Sequence, residues 1–272
     1  MTRPLLLALL LASPAAALAQ GVTIAPTTVF IDARSRSGTI LLFNPNPQPA
    51  EVEVSAFYAV PASDTAGTLR LQEGDSLAPR SAVPWIRIFP RRATIAPGAN
   101  QTLRVLVSPP ATVPDGEYWA RVRITARGGA PPVTVADSGG VQASLSLVVN
   151  SLLPLLYRKG AVSTGVTISG LVAEVTADSV VVRGRLARTG NAAALVTARG
   201  ALVDDGGAVR ATSELPTSVY DELVHRWTFP RAGLAAGAYL VRVEVEGVRA
   251  DLGAANVLAF PPVRDSIRVA VP

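Results

Sequence analysis

From Val141 to Val149 the chain reads VQASLSLVV, with Val141, Ala143, Leu145, Leu147 and Val149 on one side and Gln142, Ser144 and Ser146 on the other. A period of two fits a β-strand with one apolar face; a helix returns to the same face only about every 3.6 residues and would scatter these side chains around its axis. The stretch runs on through SLLPLLYR to Arg158, so any fold must accommodate one long strand in mid-chain. Strand signals recur on both sides of it and helix signals do not.

Before this stretch, candidate strands are Val22–Ile31, Gly38–Phe43, Glu51–Tyr58, Thr68–Leu71, Trp85–Phe89, Gln101–Val107 and Tyr118–Ala126. Between them lie Asn44-Pro45-Asn46-Pro47, Gly74-Asp75, Pro97-Gly98, Pro114-Asp115-Gly116 and Gly128-Gly129, all turn-formers. Strands so short and so punctuated predict an immunoglobulin-like sandwich. The 22 prolines and 22 glycines agree, since most would break helices. After Gly160 the pattern restarts with Val166–Ile168, Val172–Val175, Ser179–Leu186, Ala193–Val203, Ala208–Ser213, Leu223–Phe229, Tyr239–Glu246 and Ser266–Val271, with turns at Asp204-Asp205-Gly206-Gly207 and Ala235-Ala236-Gly237. The fold class is therefore all-β, two β-sandwich domains, with no short internal repeat.

Ahead of both domains stands MTRPLLLALLLASPAAALAQ: a basic Arg3, an apolar Leu5–Leu11 run and a small-residue Ala17-Leu18-Ala19. These are the three regions of a secretory signal peptide, with cleavage expected after Ala19. The apolar run is too short to span a bilayer, and no cysteine follows the cleavage point to carry a lipid. The expected organisation is residues 1–19 signal peptide, 20–158 first domain and 159–272 second domain. The mature chain has no apolar stretch long enough for a transmembrane helix, so export into the periplasm is expected, with the cell surface or secretion as the alternative destination. The absence of cysteine rules out disulfides and thiol chemistry; domains of this size rely on their cores.

The net charge of +5 is carried almost wholly by arginine, Lys159 being the only lysine. Arg104, Arg121, Arg123, Arg183, Arg185 and Arg242 are spread along strands rather than clustered, and few aromatics are interleaved, which argues against nucleic acid as a partner. Catalysis needs a convergent set of titratable groups. The sole histidine, His225, has no cysteine or second histidine with which to hold zinc. No Gly-x-Ser-x-Gly elbow is present for it to serve. Beside Trp227 on a strand, His225 reads as structural. Asp204-Asp205 belongs to a turn, Asp221-Glu222 stands alone, and neither calcium nor Walker-type phosphate loops are found. No catalytic residue, metal ligand or cofactor is expected.

The first domain resembles the N-terminal domain of PapD-like periplasmic pilus chaperones. The matching segments run in order: VTIAPTTVFID, GTILLFNPNPQPAEVEVSAF, PWIRIFPRRATIAPGANQTLRVLV with Leu103-Arg104-Val105, VPDGEYWARVRI, and SLLPLLYR ending in Tyr157-Arg158. They cover about half of the mature chain; the second half is similar only as a sandwich of the right size. The resemblance implies a chaperone for pilus- or fimbria-type subunits that lends its last first-domain strand to a client's incomplete immunoglobulin-like sheet. Strand addition gives affinity through backbone hydrogen bonds and specificity through alternate side chains. Counting back from Tyr157-Arg158 places Leu145, Leu147 and Val149 at the donor positions; ordinary core packing is the other reading of the same residues. An outer-membrane usher is implied as a further partner, and an open Val/Leu edge invites self-association.

Two departures concern the pair of cations with which the family holds a client's terminal carboxylate. Those positions fall at Thr28 and Pro154, neither of them charged, and Pro154 is expected to interrupt a sheet ladder. Either Arg34, Arg36, Arg158 or Lys159 substitutes, or the client does not bind by its C-terminus. Glu117 and Arg158 correspond to a pair that braces the family's domain interface; two separate solvated charges are the alternative. A structural or adhesion module of the cell envelope, built from the same sandwiches, is the rival to the chaperone reading.

Overall fold

The computed structural model describes residues 21–129, 133–136, 142–145 and 147–272. The expected signal peptide, Val141 and Ser146 lie outside them. In chain order the first half holds β1 (Thr23–Ala25), β2 (Val29–Asp32), β3 (Ser37–Phe43), β4 (Ala50–Phe57), β5 (Ala59–Ser63), β6 (Leu69–Glu73), β7 (Ile86–Phe89), β8 (Arg92–Ile95), β9 (Asn100–Val107), β10 (Gly116–Gly128), β11 (Val133–Ala136), β12 (Gln142–Leu145) and β13 (Val148–Lys159). The second half holds β14 (Thr164–Val175), β15 (Ser179–Gly190), β16 (Ala194–Asp204), β17 (Val209–Val219), β18 (Glu222–Pro230), β19 (Gly237–Glu246) and β20 (Val263–Val271). Among the described residues there is no α-helix, so none long and apolar enough to cross a membrane.

In the first domain the sheet β1-β3-β9-β7 packs on the sheet β2-β13-β10-β4-β8. Alternation explains the layer between them. Ile40 and Leu42, Leu103, Val105 and Val107, and Ile86 and Ile88 point in from one sheet; Val52 and Val54, Val122 and Ile124, and Leu153, Leu155 and Tyr157 point in from the other. The segment 22–31, expected as one strand, is two. β1 pairs antiparallel with β3 and β2 pairs parallel with β13, so the chain changes sheets between them.

In the second domain β14-β15-β18 faces β17-β16-β19-β20. The centre of its core is Trp227 and Phe229, packed on a glycine of the opposite sheet. A Cβ at Gly200 would lie 2.8 Å from Phe229 Cζ and 2.9 Å from Trp227 Cδ1. Neither ring has room to retreat in a close-packed interior. Gly200→Val is therefore expected to lower stability by about 1–3 kcal/mol or more, read as a lower urea midpoint; an unchanged midpoint would show that the two sheets separate more easily than this packing implies.

Both domains share a local device. Tyr118 Oη donates to the Pro114 carbonyl at 2.8 Å, and Tyr239 Oη to the Ala235 carbonyl at 2.9 Å. Each tyrosine stands near the start of a central strand and pins the turn that feeds it, the tyrosine corner of immunoglobulin-like sandwiches. Asn44-Pro45-Asn46-Pro47 is more than a surface turn. Asn44 is wholly buried, its Nδ2 donating to the Gln48 carbonyl at 2.8 Å and the Ile95 carbonyl at 2.9 Å. Asn46 Nδ2 donates to the Gly21 carbonyl at 2.6 Å. Buried amides must be satisfied, and here that requirement ties the β3–β4 turn to β8 and to Gly21.

Other differences from the sequence expectation have simple causes. β5 contains Pro61 and small residues, β8 follows Pro90-Arg91 and opens on Arg92, and β11 lies in a Gly- and Pro-rich stretch; none carries a run of apolar alternation. Residues 166–168 and 172–175 are parts of one strand, β14, with a break in register between Ser169 and Val172. Gly170 there has φ +62°, which a glycine adopts without strain.

Candidate functional site

β13 has a rooted end and an open one. Along its whole length it pairs with β10, from Arg127↔Val148 to Gly116↔Lys159. On its other edge β2 pairs only with Leu155 to Arg158. Leu155, Leu156 and Tyr157 are buried. At residues 148–154 that second edge has no strand partner among the described residues. The side chains change accordingly: Leu147 is 55%, Val148 46% and Leu152 42% exposed.

The three donor candidates are placed differently from one another. Leu145 ends β12, opposite Val133 of β11. Leu147 is exposed, between β12 and β13. Val149 pairs with Ala126 and is half-buried, because Gly21 lies over it: a Cβ at Gly21 would be 3.3 Å from both Val149 methyl groups. The alternation of residues 141–149 is thus divided between a short hairpin strand, β12, and the start of β13.

Pro154 does not stop β13, contrary to the expectation from sequence. It is opposite Arg121 in the β10–β13 register, and β2 starts to pair only at the next residue. An open edge is where a strand tolerates a residue without an N–H. Continuing the Val29↔Leu155 register by one residue puts Thr28 beside Pro154, where β2 and β13 diverge. The two positions are neighbours, and both are uncharged. The candidate cations lie elsewhere. Lys159 Nζ donates to the carbonyls of Ala111, at 2.9 Å, and Val113. Arg36 Nε reaches the Ala33 carbonyl at 3.4 Å. The Arg34 backbone N–H donates to Asp32 Oδ1 at 3.0 Å.

Arg158 is engaged in the domain junction. Its partner Glu117 sits directly across the β10–β13 ladder, and Arg158 Nε donates to Glu117 Oε2 at 2.7 Å. Glu117 is 0% and the Arg158 side chain 15% exposed. The other oxygen, Glu117 Oε1, accepts from Trp119 Nε1 at 2.8 Å and from the Ala193 backbone N–H at 3.0 Å. Arg158 Nη2 donates in turn to the Asn256 carbonyl at 2.7 Å. Ala193 and Asn256 both belong to the second half of the chain, so one buried ion pair is bonded to two separate segments of it.

Around this pair Trp119 and Leu156 pack with Ala193, Leu195 and Tyr220. The Trp119 and Tyr220 rings meet edge to face with centroids 4.8 Å apart. Arg121, itself buried, lies over Tyr220 at 5.4 Å and donates from Nε to the Ala59 carbonyl at 3.1 Å. Burial pushes the Tyr220 hydroxyl up to about 12. It does not ionise near neutral pH.

Among the described residues no three His, Cys, Asp or Glu side chains come together to hold a metal ion. Sequence reasoning missed Ser63, whose Oγ accepts from the Val224 backbone N–H at 2.7 Å across the two domains; a lone serine in a proline-containing strand carries no sequence signal for such a role. It missed Asn256 for the same reason, since only a backbone carbonyl takes part.

No protein-family model matches the chain, and no curated protein matches it. Solved structures do. The YadV chaperone is 14% identical, with 92% of this chain and 100% of that chain covered and a TM-score of 0.49. A chain of the Salmonella enterica SafA pilin–SafB chaperone complex is 16% identical, covering 91% and 96%, with a TM-score of 0.45. The Pseudomonas aeruginosa CupB2 chaperone is 15% identical, covering 92% and 100%, with a TM-score of 0.40. These solved structures are described as chaperones, and the likeness to each extends over about nine-tenths of this chain.

Proposed function

We propose that this protein is a periplasmic chaperone for pilus- or fimbria-type subunits, which binds incomplete immunoglobulin-like clients by lending them the edge strand around residues 141–149. The observation that carries the reading is the two-part character of β13: paired on both edges at residues 155–158 and buried at 155–157, and without a second strand partner among the described residues at 148–154. A strand held so firmly at one end presents an ordered row of backbone donors and acceptors at the other. A client strand settling there loses less freedom than it would against a mobile loop. The class of client follows from the sequence resemblance. No nucleotide is needed, because the client's own folding drives release.

On this reading Glu117 and Arg158 brace the two domains while the open edge is offered. Carboxylate anchoring by a cation pair is absent at Thr28 and Pro154, and recognition rests on the strand itself. An outer-membrane usher would receive the loaded chaperone.

Affinity purification of the tagged mature protein from its native periplasm, followed by mass spectrometry of what copurifies, tests the reading. Small β-rich subunits are expected at near-equal stoichiometry. Leu147→Asp should abolish their recovery while shifting stability by less than about 0.5 kcal/mol, as substitutions at exposed positions do. Loss of folding in Leu147→Asp would count against donation. Recovery of nothing from cells that are making such subunits would favour a structural module of the envelope.

A further inference from the structure

β18 is the outer strand of its sheet, bonded on one side to β15. In an antiparallel ladder alternate residues turn their N–H groups toward the partner and away from it. Val224 and Thr228 turn theirs away: Val224 N donates to Ser63 Oγ at 2.7 Å and Thr228 N to Ser213 Oγ at 3.4 Å. Arg226 and Pro230 share that parity. Pro230 has no N–H to offer. Apart from Glu222 at the first residue of the strand, that leaves Arg226, and over it lies Gly67, at the tip of the β5–β6 hairpin of the other domain.

The approach there is close. A Cβ at Gly67 would lie 3.0 Å from Arg226 Cβ, 3.4 Å from the Val224 oxygen and 3.6 Å from the Arg226 nitrogen. Gly67 also has φ +82°, a conformation that other residues adopt only with strain. The tip is rigid in its own right. Asp64 Oδ1 accepts from the N–H groups of Ala66 at 2.9 Å and Thr68 at 2.8 Å. Those donors hold the Asp64 carboxyl below its ordinary range. The root of the hairpin is tied to β10 by the Arg121–Ala59 hydrogen bond.

We infer that the β5–β6 hairpin is an edge guard, which occupies the outward edge of β18 and denies it to an extended strand from a second copy of this chain. Exposed strand edges template pairing unless they are covered, charged or interrupted by proline, and β18 carries a cover over residues 224–226 and a proline at 230. The strand kept out is on the page: residues 148–154 of β13 form an unpaired edge in every copy. The guard does not depend on the chaperone reading, since any chain that leaves β13 open must close β18.

The test is hydrogen exchange and sedimentation on the full mature chain carrying Ser63→Ala and Gly67→Val together. The Val224 amide is expected to exchange about tenfold faster once its acceptor is lost. Leu223 and His225, whose amides face β15, should keep their protection. Self-association should rise with concentration above that of the parent. Ser63→Thr, which retains a hydroxyl, should leave Val224 unchanged. Unchanged exchange at Val224, equal acceleration at Leu223, or no rise in self-association would each overturn the guard.

Discussion

Glu117→Ala is expected to cost about 3–5 kcal/mol, the typical penalty for breaking a buried ion pair by removing one partner. The size follows from what the carboxylate does. Its two oxygens accept three hydrogen bonds, from Arg158 Nε, Trp119 Nε1 and the Ala193 N–H, and it is wholly buried. Alanine leaves a cation without its anion and two further donors without acceptors. Each unsatisfied buried donor adds its own desolvation penalty. The Ala193 amide is the direct reporter, because its acceptor is on the other domain; its hydrogen exchange should speed up even under conditions where each core stays folded.

Glu117→Gln separates charge from shape. Its carbonyl oxygen can still serve Trp119 and Ala193, but its amide must face the Arg158 guanidinium, donor against donor. A loss of about 2 kcal/mol is expected, in the range of a charge-assisted hydrogen bond. Glu117→Gln combined with Arg158→Met should recover part of it, since no uncompensated charge then stays buried. A single Glu117→Ala variant that unfolds within 1 kcal/mol of the parent would remove the reason for regarding the pair as a brace.

The sandwiches were legible because each core strand carries its own pattern. Leu103, Val105 and Val107 of β9 alternate strictly and are buried as alternation requires, and β15 carries the continuous apolar run Val180–Val182, buried throughout. The Glu117–Arg158 pair could be named as a candidate only through the family resemblance, since two separate solvated charges fit the same residues. What escaped has physical reasons. β5 and β6 bury little of their own and are held by partners far along the chain, Ala59 by Arg121 and Ser63 by Val224. Asn44 and Asn46 look like any turn until the carbonyls they satisfy are seen. The recurrence of Gly-x-Tyr at Gly116-Glu117-Tyr118 and Gly237-Ala238-Tyr239 was present in the sequence, but only the paired tyrosine corners give it meaning. The open edge of β13 is a property of where β2 stops pairing; Pro154 marks it, but in the sequence that proline reads as a break in the ladder rather than as an edge.

The second domain should lose about 2 kcal/mol of stability between pH 7.5 and pH 5 through a single side chain, His225. It is 1% exposed, stands across β15 from Gly184, and meets the Trp227 ring edge to face at 4.5 Å. Its Nε2 and the neighbouring Trp227 Nε1 have no hydrogen-bond partner among the described residues. Burial without a counter-charge lowers its pKa from 6.5 to about 4. The sign follows directly. Between those values the unfolded chain takes up a proton that the folded chain refuses, so acidification favours unfolding. The contribution is fully present above pH 6.5 and is lost as the pH falls toward about 4, where it reaches about 3 kcal/mol. The lowered carboxyls of Asp32, Glu53, Asp64, Asp204 and Asp251 start from 3.8 or 4.5, so most of their losses come at lower pH and leave the upper window to His225. Urea unfolding at pH 7.5, 6 and 5 should show the decline in the parent chain, and His225→Phe should flatten it. Because the chain has no other histidine, its ring resonances are assigned without ambiguity, and a midpoint near 6.5 in the folded protein would show that the ring is hydrated and the stability argument wrong.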